Sequence, residues 1–167
     1  MAHGQHGPKR SVDQYPHIED VLRFEALQML YENSLKMKII LYGENNLSVA
    51  NSYGLQAQMY YMQNKYEKAE ELYEKCLAIE EKILPKNHLS IVETYSKLAF
   101  TCYDQNKYQK ALVYYFKVYS IFAQTFGFDN PSTSLIYEFV KITYFECNPQ
   151  GNFEQWLEEQ MKEWQGQ

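Results

Sequence analysis

The four residues Gln63-Asn64-Lys65-Tyr66 return unchanged 42 residues later as Gln105-Asn106-Lys107-Tyr108. The repetition extends well beyond these two copies. A step of 42 also pairs Asn45 with Asn87, Leu47 with Leu89, Ser48 with Ser90, Tyr53 with Tyr95, Ala57 with Ala99, Ala69 with Ala111, Tyr73 with Tyr115 and Ile79 with Ile121. A fixed period of this size predicts a stack of one supersecondary unit, in which each copy buries its apolar face against the next.

Apolar residues recur at helical spacing along the chain, and each 42-residue unit accommodates two helices. Asn64 and Asn106 lie between the two helices of a unit, where the turn needs a residue that tolerates the left-handed conformation. Ser48 is a candidate cap for the helix that follows it. We predict helices over about 16–42, 49–63, 66–84, 90–105, 108–126, 132–145 and 152–164.

The chain of 167 residues is long enough for one domain with a substantial core. We expect an all-α fold, a right-handed α-solenoid of antiparallel helix pairs. The last helix has one polar face, which suits the cap of such a stack. The expected divisions are a flexible N-terminal tail at 1–15 and a single helical domain at 16–167, made of a half repeat at 16–42, repeats at 43–84 and 85–126, and a degenerate repeat or cap at 127–165.

Charge and hydropathy exclude several classes of function. The net charge is −5 and no basic stripe is present, so nucleic-acid binding is not expected. No run of 18 apolar residues is present, so membrane insertion is not expected, and the N-terminus lacks the apolar core of a secretory signal. Cys76, Cys102 and Cys147 are odd in number and far apart, which favours buried free thiols in a reducing compartment. We expect the cytoplasm, or alternatively a ciliary axoneme or another organellar assembly.

The two-helix unit resembles the tetratricopeptide repeat, whose helices A and B cross closely where both side chains are short. Ala57 with Ala69, and Ala99 with Ala111, are such pairs. The length of 42 residues and the links between units are similar to those of kinesin light chains. These links are Tyr42-Gly43-Glu44-Asn45-Asn46-Leu47, Leu84-Pro85-Lys86-Asn87-His88-Leu89 and Phe126-Gly127-Phe128-Asp129-Asn130-Pro131.

No residue pattern in the chain indicates catalysis. His88 lies in a link, where we expect it to cap the next helix, and the paired glutamates lie on helices, as a solvated face requires. No Ser or Cys is placed with a His and a carboxylate in a way that predicts a triad, and no cysteine spacing predicts a metal site. We therefore expect a protein that is not an enzyme and that has no cofactor.

The resemblance implies a concave groove lined by the A helices and used for protein–protein interaction. Members that clamp the carboxy terminus of heat-shock chaperones use Lys, Arg and Asn at positions that here hold Gly54, Gln58, Lys97, Leu135 and Phe139, so that specificity is not expected. The repeat register places fourteen residues in the groove: Asn51, Leu55, Gln58, Tyr61, Met62, Glu93, Lys97, Phe100, Tyr103, Asp104, Leu135, Glu138, Ile142 and Phe145.

These side chains mix aromatic, amide and acidic groups, which suits an extended peptide or a partner helix with apolar anchors and some basic residues. We therefore expect an adaptor that binds a protein or peptide partner. Two alternatives remain open at this point: a structural scaffold subunit of a large assembly of the axonemal or mitochondrial type, and a bacterial regulator that senses a peptide.

Overall fold

A computed structural model describes residues 16–165 of the chain, with side chains described from residue 21. Within that range the chain forms seven α-helices and no strand. Their bounds are α1 Pro16–Tyr42, α2 Leu47–Met62, α3 Tyr66–Ile83, α4 Leu89–Asp104, α5 Tyr108–Phe126, α6 Pro131–Cys147 and α7 Phe153–Gln165. Helices α2, α4 and α6 are the A helices, and α1, α3, α5 and α7 are the B helices.

Each helix packs chiefly against its neighbours in the chain, as in a solenoid of antiparallel helix pairs. The predicted fold class is confirmed. The predicted flexible tail at 1–15 lies outside the described residues.

The duplicated four-residue stretch forms the same turn in both repeats. Asn64 has φ 58° and Asn106 has φ 60°, so both adopt the predicted left-handed conformation. The hydroxyl of Tyr66 donates to Asn64 Oδ1 at 2.9 Å, and that of Tyr108 donates to Asn106 Oδ1 at 2.7 Å. These contacts fix the turn between helix A and helix B, which explains why the same residues occur in both copies.

Four alanines mark where the helices cross most closely. Ala57 and Ala99 lie on A helices, Ala69 and Ala111 lie on B helices, and all four have no exposed surface. Each pair lies in one buried cluster, as the predicted packing of short side chains between the two helices of a repeat requires. Larger apolar side chains, such as Leu98 and Val118, fill the space between successive helix pairs.

The A helices begin one or two residues earlier than predicted. Asn46, His88 and Asn130 each accept a hydrogen bond from the amide two residues further on, at 2.8, 3.2 and 2.9 Å. Ser48 is therefore not the cap of α2, because the asparagine in the link takes that role. The prediction that His88 caps the next helix is confirmed.

The C-terminal end of the stack is closed by α7. Aromatic rings, rather than close approach of the backbones, join α7 to α6 and α5. Phe153 lies 5.4 Å from the ring of Tyr144, and Trp156 lies 5.8 Å from the ring of Phe116. Position 151, just before α7, requires a glycine, because a Cβ there would fall 2.2 Å from the hydroxyl oxygen of Tyr144.

The N-terminal end is built differently, because α1 contacts the rest of the molecule along one face only. Leu35 and Ile39 pack beside Val49 and Ala50 of α2. Nine large apolar side chains of α1 are 44–77% exposed: Val21, Leu22, Leu27, Met29, Leu30, Met37, Ile40, Leu41 and Tyr42.

The three cysteines are free, as predicted. Cys76 and Cys102 are buried, whereas Cys147, also expected to be buried, is only half-buried near the end of α6. None of the described helices combines the length and the hydropathy needed to cross a membrane.

Candidate functional site: the A-helix groove

The outward faces of the three A helices form the candidate site. The structure places all fourteen of the predicted groove residues at exposed or half-buried positions. Exposure alone does not make a binding site, so the cavities between the A helices decide which of these residues act together.

The groove between α2 and α4 contains a cavity of about 250 Å³. Asn51 and Leu55 line it from α2, and Glu93 and Lys97 line it from α4. Tyr73, from the B helix α3, reaches between the two A helices and forms part of the floor. With Gln58, which also lines it, five predicted residues therefore lie around one concavity.

A buried polar group lies at the floor of this cavity. Thr94 Oγ1 donates to Glu80 Oε2 at 2.7 Å, and both side chains are buried. Cys76 Sγ lies 3.9 Å from the same hydroxyl oxygen. Burial raises the pKa of the Cys76 thiol to about 12, so this cysteine stays protonated at neutral pH and is not a nucleophile.

A second cavity of about 190 Å³ continues the groove toward the C-terminal ends of α2 and α4. Gln58, Tyr73 and Lys97 line both cavities, so the two form one continuous channel. Tyr61 and Phe100 add aromatic surface to the second cavity.

The end of this channel is fixed by a hydrogen bond between the two A helices. The hydroxyl of Tyr61 donates to Asp104 Oδ2 at 2.6 Å, which joins residues predicted for the groove from separate repeats. This hydrogen bond, together with partial burial, raises the pKa of Tyr61 to about 12, so its hydroxyl remains a donor. Tyr103 packs its ring 5.1 Å from that of Tyr108 and is half-buried.

Three aromatic rings connect the second repeat to the third. Phe100 of α4 lies 5.4 Å from Tyr115 of α5 and 5.4 Å from Phe139 of α6, while Tyr115 and Phe139 stack at 5.5 Å. Edge and stacked contacts at these distances are favourable beyond the area that they bury. Phe100 therefore has a fixed position, with one side of its ring facing the groove.

The predicted residues of the third repeat do not line the channel between α2 and α4. Leu135 and Ile142 are exposed on α6, and Glu138 lines a separate cavity of about 330 Å³ beside the link between α5 and α6. Phe145 lies 6.2 Å from the ring of Phe153 and so packs toward α7. The structure thus groups the predicted residues of α2 and α4 and leaves those of α6 apart from them.

A larger cavity, of about 500 Å³, lies between α3, α4, α5 and α7. Three of its polar side chains already contact one another. Tyr95 donates to Glu81 Oε1 at 2.5 Å, and Lys117 Nζ lies 4.6 Å from the centre of the Tyr95 ring. The A-helix groove has more exposed polar and aromatic side chains available to a partner, so we take it as the candidate site despite its smaller volume.

Comparison with known families agrees with this architecture. A family model described as "Tetratricopeptide repeat" matches residues 21–82, and a second model with the same description matches residues 93–119. The chain contains tetratricopeptide repeats. Tetratricopeptide repeats generally mediate protein–protein interactions and are generally not catalytic.

Solved structures with the same fold include two of a Podosopora anserina protein described as a kinesin light chain with nearly identical TPR-like repeats. One is a point variant, with a TM-score of 0.64 and 23% identity, covering 83% of this chain and 65% of that chain. The other has a TM-score of 0.65 and 23% identity, covering 85% of this chain and 67% of that chain.

A third similar structure is BtubC (BKLC) from P. vanneervenii, with a TM-score of 0.64 and 19% identity, covering 78% of this chain and 51% of that chain. The chain thus spans from about half to two thirds of the length of these structures. The expected resemblance to repeats of the kinesin light chain type is confirmed at the level of the fold. A sequence search of curated proteins finds no match.

Sequence reasoning missed some residues of this tetratricopeptide groove. The register identifies Tyr73 only as a repeated B-helix aromatic, although it lines both cavities. Gly54 and Thr101 also line the groove. The signal for Gly54 was present, because a glycine in the middle of a helix costs stability unless an open space or a close approach requires it.

Proposed function

We propose that the protein is a non-catalytic adaptor that binds a peptide or an amphipathic helix in the channel between α2 and α4. The observation that supports this most strongly is the continuous pair of cavities sharing Gln58, Tyr73 and Lys97. Channels of this kind admit an extended chain, because its alternate side chains can enter successive cavities.

The chemistry of the walls defines the partner more closely. Tyr61 and Phe100 offer aromatic surface to an apolar anchor, whereas Glu93 and Asp104 offer carboxylates at the two ends of the channel. The side-chain amide of Gln58 can donate to and accept from a peptide backbone. We therefore propose a partner segment with one or two large apolar side chains flanked by Lys or Arg.

A random peptide library displayed on phage tests this proposal. We expect the protein to select peptides with a basic and apolar pattern, and the double change Tyr61→Ala with Tyr103→Ala to abolish their binding, measured by fluorescence anisotropy, while helicity is unchanged. Phe126→Ala with Phe128→Ala is the matched control, because both rings are exposed and lie at the link after α5. Selected peptides that bind the Tyr61 and Tyr103 double variant as well as the wild type would contradict the groove assignment.

The second candidate function is that of a scaffold subunit fixed in a large assembly. The exposed apolar face of α1 favours it, because monomeric proteins rarely expose large contiguous apolar patches. Size-exclusion chromatography of the purified chain separates the two functions. An adaptor is expected to be folded and dispersed alone, whereas an obligate subunit is expected to aggregate. In either role, the free thiols of Cys76, Cys102 and Cys147 suit a reducing compartment, and we propose the cytoplasm.

A further inference from the structure

The outer face of α1 carries a contiguous apolar surface that is exposed in the described part of the chain. The residues at its centre recur every three or four positions, so they share one face of the helix. We name this surface the α1 stripe. It consists of Leu22, Ala26, Met29, Leu30, Asn33, Met37 and Ile40, all of them exposed.

The repeat register shows what covers the same positions elsewhere in the molecule. A step of 42 carries Leu30 to Leu72 and Met37 to Ile79, both of which are buried in α3. Ile79 is buried against α2, the A helix that precedes α3. In α1 these positions are 64% and 56% exposed, because no A helix precedes α1 within the described residues.

The α1 stripe is also wider than a missing A helix would explain. The same step carries Met29 to Glu71 and Ile40 to Lys82, which are exposed and charged in α3. The B helix α3 therefore keeps these positions polar, whereas α1 makes them apolar. Apolar residues in α1, at positions that face water in the next repeat, indicate that another protein surface covers these positions of α1.

The C-terminal end of another copy does not offer a matching surface. The outer face of α7 carries five exposed or half-buried charged residues: Glu154, Glu158, Glu159, Lys162 and Glu163. Copies stacked head to tail would set these charges against the α1 stripe. A contact in which each copy uses the same surface avoids this mismatch, and two-fold dimers of that kind are the commonest oligomers.

Part of the α1 stripe is symmetric about Asn33, which suits such a contact. Asn33 lies at its centre, Met29 and Met37 lie four residues to either side, and Ala26 and Ile40 lie seven residues to either side. We propose that a second copy of this chain covers the α1 stripe, with the two α1 helices antiparallel about a two-fold axis through Asn33.

This axis sets Met29 opposite Met37 of the second copy and the small Ala26 opposite the large Ile40. A polar residue at the centre of an apolar helix pair fixes its register and orientation at some cost in stability, and Asn33 has that position here. The stripe from Leu22 to Ile40 is roughly 27 Å long at 1.5 Å per residue. A single helix pair of this length lies near the lower limit of specific interfaces, about 1,200 Å² in total, so we expect dissociation in the micromolar range.

Analytical ultracentrifugation of the full chain at roughly 1 to 200 µM, a range that brackets this affinity, is the first test. We expect a monomer–dimer equilibrium whose Kd rises at least about tenfold in the double variant Met29→Glu with Met37→Glu, because the axis sets these two positions opposite each other and the carboxylates would repel. Both side chains are already exposed in the monomer, so the fold and the circular dichroism spectrum should not change. Val113→Glu is the matched control, because Val113 is 55% exposed on α5, and its Kd should equal that of the wild type.

A disulfide at the proposed axis is the second test. In a Cys147→Ser background, the variant Asn33→Cys should form an intermolecular disulfide under mild oxidation, since a disulfide requires Cα atoms within about 7 Å. The variant Glu25→Cys is the control. The two copies of position 25 would lie roughly 24 Å apart along the helices, so it should not cross-link.

A wild-type monomer at all of these concentrations would overturn the proposal. So would a dimer whose Kd the Met29 and Met37 double variant leaves unchanged, or cross-linking of Glu25→Cys that equals that of Asn33→Cys. None of these results depends on whether a peptide binds between α2 and α4, so the proposed function and the proposed dimer can fail separately.

Discussion

The two ends of this solenoid are completed in opposite ways. At the C-terminal end, α7 places Phe153 and Trp156 against the aromatic rings of α5 and α6 and turns charged residues outward. At the N-terminal end, α1 packs on α2 along one face and leaves nine large apolar side chains exposed. Each repeat of a solenoid contacts only its neighbours, so the ends decide whether the stack is stable and soluble by itself.

The joints that hold the two ends also differ in chemistry. Aromatic contacts fill the joint between α6 and α7. The joint between α1 and α2 is partly polar, with Gln28 donating to the Tyr60 hydroxyl at 2.7 Å and Lys38 donating to Ser52 Oγ at 2.7 Å. From this difference we expect α7 to contribute much more to the stability of the isolated chain than the outer face of α1 does.

The largest effect is expected at α7, where aromatic side chains close the C-terminal end of the stack. Phe153 is 3% exposed, so Phe153→Ala should lower the free energy of unfolding by about 3–5 kcal/mol through lost burial and the cavity left behind. Leu30→Ala removes a side chain of the α1 stripe that is 64% exposed, and it should change the monomer by less than about 0.5 kcal/mol. Urea unfolding followed by circular dichroism, at concentrations where the chain is monomeric, measures both. Similar losses in the two variants would remove the distinction between the ends.

The next effect concerns the closest helix crossing. The register sets Leu27 of α1 at the position held by Ala69 in α3 and Ala111 in α5. Ala69→Leu should destabilise the protein by about 1–3 kcal/mol through overpacking against α2. Leu27 is exposed because no helix of the described chain crosses α1 there, so Leu27→Ala should have little effect. Thermal melts of both variants test the register, and an unchanged melt for Ala69→Leu would contradict it.

A pH dependence is expected at the joint between the two complete repeats. Glu70 of α3 accepts hydrogen bonds from Gln105 at 2.7 Å, Lys107 at 2.7 Å and Lys110 at 2.5 Å. Burial by itself would raise the pKa of Glu70, but the hydrogen bonds from Lys107, Lys110 and Gln105 outweigh it and lower the pKa to about 2. The corresponding residue of α1 is Gln28, which has no charge to titrate.

Because the pKa of Glu70 is lower in the folded state, its contribution is present above the ordinary carboxyl pKa of 4.5 and is lost as the pH falls toward 2. Glu70→Gln should cost about 1–2 kcal/mol at pH 7, since the lysines are partly screened by water, and should flatten the loss of stability below about pH 5. Glu71→Gln is the control: hydrogen bonds from Lys68 and Lys75 also lower the pKa of Glu71 to about 2, but Glu71 is exposed, so water screens its ion pairs and they are worth less than about 0.5 kcal/mol. Equal pH slopes in the two variants would contradict this account.

The smallest effect is a gain at the joint of α1 and α2. Gln56 is buried, and its Nε2 has no hydrogen-bond partner among the described residues. The second repeat holds the fully buried Leu98 at the same position. Gln56→Leu should therefore stabilise the protein by about 1 kcal/mol, because an unpaired buried amide is removed. Gln58→Leu, at an exposed position two residues away, should be close to neutral in the same urea titration.

Much of the fold follows from the 42-residue register. The left-handed asparagines fixed the starts of α3 and α5 at Tyr66 and Tyr108, as predicted. The starts of the A helices were predicted less accurately. An asparagine or histidine side chain in the link accepts a hydrogen bond from a free backbone amide in the first turn, and the helix therefore begins earlier. Serine and asparagine are both favoured as N-caps, so the sequence alone did not decide between Asn46 and Ser48.

The sequence predicted only those residues of the candidate site that lie on the exposed face of a single helix. The register placed Leu55 and Lys97 on the outer face of the A helices, and both line the channel. It could not show that Tyr73 of a B helix reaches the floor, because this depends on how far apart α2 and α4 lie. The half repeat at 16–42 indicated a face of α1 without its A helix, but apolar spacing does not identify what covers that face.

The duplicated Gln-Asn-Lys-Tyr turn has a consequence for how such a chain can grow. Its asparagine and tyrosine bond to each other within three residues, so each hairpin sets its own bend without help from adjoining units. Inserting another copy of residues 43–84 between the two existing repeats should therefore lengthen the superhelix by one unit and leave both termini as they are. Gene duplication can extend such a protein in whole units, and each added unit would widen the surface on which a longer target can lie.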